Sequence, residues 1–226
     1  MSLGPVNEFV FFRLKPSVKP EEPDNLGGDR FLDVLRMARN QSEYMASAWG
    51  RTKEDENNVV LVTEWSNSKG ATGVAALTPF LDPSREVIVI YVTLNPPALT
   101  ANTLSKNPVT EIIALAFPNS MTSAEHMELD DAIGAFRVAM LEHMPEGIRA
   151  QSWSMGYIDR PGTMEHPNSP SGKALVLLMA IGWDSVEAHM AARKTSVFAE
   201  KISPIRQRML PPLEGLEMKH VSFTKI

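Results

Sequence analysis

The chain of 226 residues contains no cysteine. Disulfides, thiolate nucleophiles, thiolate-held zinc and iron–sulfur clusters are therefore excluded. A basic excess is missing too: 22 Lys and Arg against 27 Asp and Glu give a net charge of -5. Without surplus positive charge to displace counterions from phosphates, a nucleic-acid role is disfavoured. Long apolar stretches are absent. The longest, Ala174 to Ile181, is far too short to span a bilayer, and Met1 to Pro5 shows no basic start leading into an apolar segment. A cytoplasmic protein with no membrane partner is expected. Glycine-rich phosphate loops, H-E-x-x-H and the G-x-S-x-G nucleophile elbow do not occur. No metal and no cofactor is expected.

What is present is an internal repeat. Val6-Asn7-Glu8-Phe9-Val10 resembles Val109-Thr110-Glu111-Ile112-Ile113, which starts 103 residues later. Ala46 to Trp49 resembles Ala150 to Trp153, Asn58 to Trp65 resembles Ala174 to Trp183, and Val87 to Thr93 resembles Met218 to Thr224. The four blocks keep their order. The extra length of the second copy falls in Asp159 to Lys173, rich in Pro, Gly and Ser, which reads as an insertion. Two domains are expected, 1–104 and 105–226, joined by a linker over Leu94 to Asn107.

Each copy reads strand, helix, strand, strand, helix, strand. Phe31, Leu35 and Ala38 mark one face of the first helix, with Leu32 beside them. Leu129, Ile133, Phe136, Met140 and Met144 recur at helical spacing in the second copy. Asp184 is expected to cap the last helix, with Val186, Met190 and Val197 on its buried side, and Pro204 to begin a separate short helix. Val87 to Val92 and Ala174 to Ile181 do not alternate polar with apolar, so both sheet faces must be covered. Two helices per copy cover one face, and the sheet of the other copy is the simplest cover for the second. The expected fold is α+β, with two ferredoxin-like βαββαβ units packed sheet to sheet, helices outside, and an apolar space between.

Gly182-Trp183-Asp184-Ser185-Val186-Glu187-Ala188-His189, followed by Ser196-Val197-Phe198, carries a family resemblance. It is similar to the strand-end Trp and helix start of the antibiotic-biosynthesis-monooxygenase (ABM) branch of the dimeric α/β-barrel proteins. The paired V-x-E-[FI] openings resemble those of duplicated fungal ABM-domain chains. The resemblance implies an intrachain version of the usual two-chain barrel. A further isologous homodimer stays open. Haem-degrading members of the superfamily place the iron-ligating His four residues after the helix Phe, where this chain has Ile202 after Phe198. The plant-type polyketide cyclases place a catalytic His near the end of that helix, and none stands at Thr195 to Phe198.

His189 matches the ABM-like helix start, as a proton-transfer residue at the pocket edge or as a histidine packed on Trp183. Alternation puts Met218, His220, Ser222 and Thr224 on one face of the last strand, with Tyr91 on the equivalent face of copy one. That face is expected to line the space between the sheets, with His220 as general base; otherwise His220 reaches solvent near the strand end. Glu8 and Glu111 occupy matched positions, either paired with a cation such as Arg13 or Lys219, or facing the pocket. Trp153, with Tyr157 and His143 close in sequence, either stacks on a flat ligand or packs the core.

Two functions follow. One is an enzyme acting without a cofactor on a hydrophobic, aromatic or polyketide-like small molecule, by oxygenation or by proton transfer in cyclisation or isomerisation. The other is a non-catalytic barrel that binds a small molecule or serves structurally.

Overall fold

The computed structural model describes residues 4–67, 69–101, 104 and 106–226. Residues 1–3, in the segment read for targeting, and Asn102, Thr103 and Ser105, in the expected linker, lie outside the described residues. The first half contains β1 (Val6–Arg13), α1 (Leu26–Arg36), β2 (Tyr44–Arg51), β3 (Asn58–Trp65) and β4 (Ile88–Val92). The second contains β5 (Val109–Pro118), α2 (Ser123–Val138), β6 (Ser152–Arg160), β7 (Met164–Glu165), β8 (Lys173–Trp183), α3 (Val186–Ala192), α4 (Ser196–Arg206), β9 (Lys219–Val221) and β10 (Thr224–Lys225).

The strands form one curled antiparallel sheet in the order β10-β2-β3-β1-β4-β6-β8-β5-β9, with β7 on β8. The halves share a register, since Val6 lies opposite Trp65 and Val109 opposite Trp183. They join at two seams. At one, Tyr91 and Val92 of β4 pair with β6; at the other, the last stretch of chain splits between β5 and β2 through β9 and β10. Each seam needs a glycine. A Cβ on Gly156 would lie 2.2 Å from the Thr93 carbonyl oxygen, and one on Gly50 would lie 2.4 Å from that of Ser222.

Period-two alternation sends each strand's side chains into two layers. Phe9, Val62 and Ile90 from the first half meet Ile112, Val176 and Leu178 from the second. The expected linker belongs to this layer: Leu94, Ala98, Leu99 and Leu104 are all buried in it. Glu64, also fully buried, anchors it by accepting the Leu99 N–H at 2.9 Å and both the N–H and hydroxyl of Thr100. The inter-sheet space is thus a packed core and not the expected pocket. Apolar side chains from both sheets and from the linker close it.

The outer faces differ between halves. Phe31 of α1 sits edge-on to Phe12, Trp49 and Phe80, filling the first. The second helix expected here is a 3-10 segment, Val74–Phe80, with Pro79 inside it. In the second half the helical positions hold: Leu129, Ile133, Phe136, Met140 and Met144 are buried. α2 is closed by a Thr122–Glu125 capping box and runs on into a π turn, Ala139–His143. Three details of the last helical stretch correct the sequence reading. Ser185, not Asp184, caps α3, its hydroxyl accepting the Ala188 N–H. The stretch breaks before Thr195, which caps α4, and Pro204 lies inside α4 and does not start a new helix. Met190 is 40% exposed, while Ala188, His189 and Ala192 are the buried positions of α3.

Candidate functional site

Between the second-half sheet and its helices lies a cavity of about 210 Å³. Its walls are apolar and flat-sided: Phe136, Trp153, Met179, Trp183, Phe198 and Ile202. The polar lining residues are Glu111, His189, Arg193 and Arg206. Strand β5 delivers Glu111 because its outer-face residues, Glu111, Ile113 and Leu115, alternate with core residues Ile112 and Ala114. The cap at Ser185 starts α3 so that His189 falls on its inner side. Arg193 follows one turn later, at i+4.

Trp183 sets the geometry at the polar end. Its indole N–H donates to Glu111 Oε2 at 3.1 Å, and its ring stacks on His189 with centroids 4.7 Å apart. His189 Nε2 lies 3.4 Å from Glu111 Oε2. Burial pushes the Glu111 carboxyl up to about 7, against the pull of the Trp183 hydrogen bond and of Arg193. Burial pushes His189 down to about 3, helped by His220 and Arg193. Both shifts oppose charge. Near pH 7 the imidazole is therefore neutral, so the contact is not an ion pair, and the carboxyl sits close to the midpoint of its ionisation. At 3.4 Å the two atoms are in close approach without a hydrogen bond between them.

Behind His189 the network continues. His189 Nδ1 is 2.7 Å from His220 Nε2, and His220 Nδ1 is 2.6 Å from Glu54 Oε1. Both histidines are almost fully buried, while the Glu54 side chain is 44% exposed. Glu54 comes from the turn between β2 and β3 of the other half. The turn docks on β9 through the Lys53 N–H to His220 carbonyl bond, 2.8 Å, and the Thr52–Val221 bridge.

His189, Glu111 and Trp153 line the cavity, and His220 stands one residue behind it. The face of the last strand had been assigned the wrong way round. Val221 and Phe223 point into the inter-sheet core, and His220 points to the helix side. The other expected site residues lie elsewhere. Tyr91 sits in the first half, donating to Glu8 at 2.8 Å with Arg160 over its ring. The Ser222 hydroxyl donates to the Pro108 carbonyl at 2.8 Å. Tyr157 donates to Asp130 at 2.8 Å, outside the lining, and His143 is exposed at the end of the π turn. Glu8 and Glu111 pair with the indoles of Trp65 and Trp183, not with Arg13 or Lys219. Arg13 pairs with Asp55 and Asp82 instead, and Lys219 turns to Gly215 and Glu217.

Sequence reasoning missed Glu54 and Arg193. No signal in the sequence marks Glu54, because only tertiary docking brings it to His220. The His189-to-Arg193 spacing was a readable signal. A haem, as in the haem-degrading relatives, does not fit these side chains. Ile202 stands at the ligand spacing, and both ring nitrogens of His189 are already engaged. Among the described residues no cluster of His, Asp or Glu suits a metal ion, and no helix is long and apolar enough to cross a membrane.

No protein-family model matches the chain, and no curated protein does. Solved structures do. A provisionally named monooxygenase from Lactobacillus acidophilus NCFM is 10% identical, with a TM-score of 0.57 over 98% of this chain and 95% of its own. A provisionally named chlorite dismutase is 8% identical, with a TM-score of 0.62 over 97% and 95%. An anthrone oxidase-like protein is 10% identical, with a TM-score of 0.54 over 98% and 91%. At such low identity the likeness shows the fold alone.

Proposed function

We propose that the chain is a tandem pair of ferredoxin-like units, 1–104 and 105–226, forming an ABM-like α/β-barrel within one chain. Its second unit acts on a hydrophobic small molecule, aromatic or polyketide-like, without a cofactor. One observation carries this reading: the Glu111–His189 pair at one end of a largely apolar cavity. A carboxyl raised to about 7 is poised to take and return a proton near neutral pH. Trp153, Phe136 and Phe198 offer flat faces to an aromatic ring. Arg193, beside the pair, offsets the negative charge that a phenol or enol develops as it loses its proton.

Two outcomes of that deprotonation suit the site. An electron-rich phenolate can react with oxygen, the chemistry implied by the ABM resemblance and by the name of the anthrone oxidase-like neighbour. An enolate can instead attack within its own chain, giving cyclisation, or be reprotonated elsewhere, giving isomerisation. The first half has no acid–base site equivalent to Glu111, because its matched carboxylate, Glu8, accepts from three donors.

The test is turnover of a panel of anthrones, naphthols and linear poly-β-ketones, followed by oxygen uptake and product analysis. Glu111→Gln is expected to lower turnover by a factor on the order of 10² to 10⁴, the usual worth of a positioned acid–base group. Turnover unchanged in Glu111→Gln would remove the assignment. Binding of the panel without turnover would establish the small-molecule-binding reading in its place.

A further inference from the structure

Four titratable groups run in single file from the cavity to the protein surface: Glu111, His189, His220 and Glu54. Three come from the second half, and the last comes from the first. We propose that this file is a proton conduit, which carries a proton taken from a ligand in the cavity out to the Glu54 carboxylate, so that the first half supplies the outlet of the second half's site. The inference rests on the acid–base reading of the cavity given above.

Conduction outward requires one direction at each link, two of them hydrogen bonds and the first a 3.4 Å approach that shortens on transfer. Glu54, a half-exposed carboxylate, accepts, so His220 Nδ1 donates to it at 2.6 Å. In the proposed file His220 carries its proton on Nδ1, so that Nε2 accepts from His189 Nδ1 at 2.7 Å. His189 Nε2 is left as acceptor for the protonated Glu111 Oε2 at 3.4 Å. Glu111, His189 and His220 each then hold one proton to pass on and one lone pair to receive, and Glu54 holds the lone pair that takes the last proton.

Transfer moves one proton at each link. The ligand's proton goes to Glu111 Oε1, and the Oε2 proton of Glu111 passes to His189 Nε2. The Nδ1 proton of His189 passes to His220 Nε2, and the Nδ1 proton of His220 passes to Glu54 Oε1. One bond forms for each bond broken. The ligand is left as an anion, Glu54 becomes a carboxylic acid that releases its proton to water, and no electrons are gained or lost. Burial opposes storage of charge on His189. A relay does not require storage, since the ring receives at one nitrogen as it gives from the other. Other charged groups facing the file are Arg193 beside Glu111 and His189, Glu187 near His220, and Lys219 near Glu54.

A purely structural staple between β9 and the β2–β3 turn would need only the His220–Glu54 contact. The experiment separates the two roles. Nitrogen-15 NMR of the full chain, labelled at histidine, reads the tautomers and the exchange of the His189 Nδ1 proton with water at pH 7. Both rings are expected to be neutral with the proton on Nδ1. Glu54→Gln keeps an acceptor for His220 but takes no proton, and is expected to slow that exchange by on the order of tenfold or more. An Nε2–H tautomer or an imidazolium at His189 overturns the proposal. So does exchange unaltered in Glu54→Gln, or altered in step with the backbone amides of β5. Binding of 2-naphthol, followed at the Trp153 indole in the same samples, tests the cavity separately. Its absence would remove the ligand reading and leave the exchange result standing.

Discussion

Glu8 and Glu111 each accept the indole N–H of the tryptophan that ends the adjoining strand, Trp65 at 3.0 Å and Trp183 at 3.1 Å. Their remaining neighbours differ. Glu8 also accepts the Thr72 N–H at 2.7 Å and the Tyr91 hydroxyl at 2.8 Å. Glu111 instead has the ring of His189 at 3.4 Å and the more distant charge of Arg193. Three donors stabilise a carboxylate as an anion; one donor leaves burial to decide. The same residue at the same place is therefore a fully hydrogen-bonded anchor in one half and, in the proposed function, an acid–base group in the other.

Tyr91 belongs to the anchor. Loss of its hydroxyl in Tyr91→Phe leaves Glu8 one donor short and is expected to lower stability by about 1–3 kcal/mol, read as a shifted urea midpoint. Ligand binding in the second-half cavity should not change. A variant with normal stability and weakened binding would place Tyr91 in the site after all.

The buried pair has opposite effects on stability as pH varies. Glu111 titrates at about 7 in the folded chain against an ordinary 4.5, so its contribution is full below 4.5 and is lost as pH rises through 7. His189 titrates at about 3 against 6.5, so its contribution is full above 6.5 and is lost as pH falls toward 3. The two slopes oppose each other between pH 4.5 and 6.5. Glu111→Gln is expected to remove the loss on the alkaline side, a gain of about 3 kcal/mol at pH 8 relative to pH 4. Urea titrations of wild type and variant across that range measure it, and parallel profiles would refute the raised carboxyl.

The connection between the halves is a core element, and Leu99 is the cleanest probe of this. It is 2% exposed in the inter-sheet layer. Leu99→Ala is expected to cost about 2–5 kcal/mol, the penalty of a cavity in a packed core. A surface linker would lose less than about 0.5 kcal/mol. Thermal or urea denaturation decides between them.

Arg193 lines the cavity, and its guanidinium donates to the sulfurs of Met190 at 4.0 Å and Met218 at 3.9 Å. Arg193→Gln is expected to weaken binding of an ionised phenol by a factor on the order of ten, with little effect on a neutral isostere. Calorimetric titration with both forms reads the difference. Equal losses would indicate packing and not charge.

Much of the fold was legible because it rests on periodicity. The repeated V-x-E opening, the Trp65–Trp183 match and the helical spacing from Leu129 to Met140 all report on backbone pattern and place residues as observed. Trp49 and Trp153, in contrast, are two residues out of register, Trp49 lying opposite Leu61 and Trp153 opposite Ile181. The site was less legible because it depends on which face is buried against what. Strict alternation put His220 and Val221 on opposite faces correctly, but nothing in it says which face meets the other sheet. Met190 looked buried because its spacing from Val186 is helical, yet α3 has only seven residues and turns on a different side. Glu54 was invisible, being far from His220 in sequence and brought to it by a seam that only the closed sheet creates.

That seam also bears on solubility. A sheet that ends in free strands displays unpaired N–H and C=O groups, an open template for another chain. Here β2 is taken up by β10, β4 by β6, and the Thr52–Val221 bridge ties the β9 side to the β2 side. The long apolar strand β8, which alone would be an aggregation hazard, lies between β6 and β5. Two residues without side chains, Gly50 and Gly156, permit both closures. In this protein the smallest residues therefore guard against self-association by strand addition.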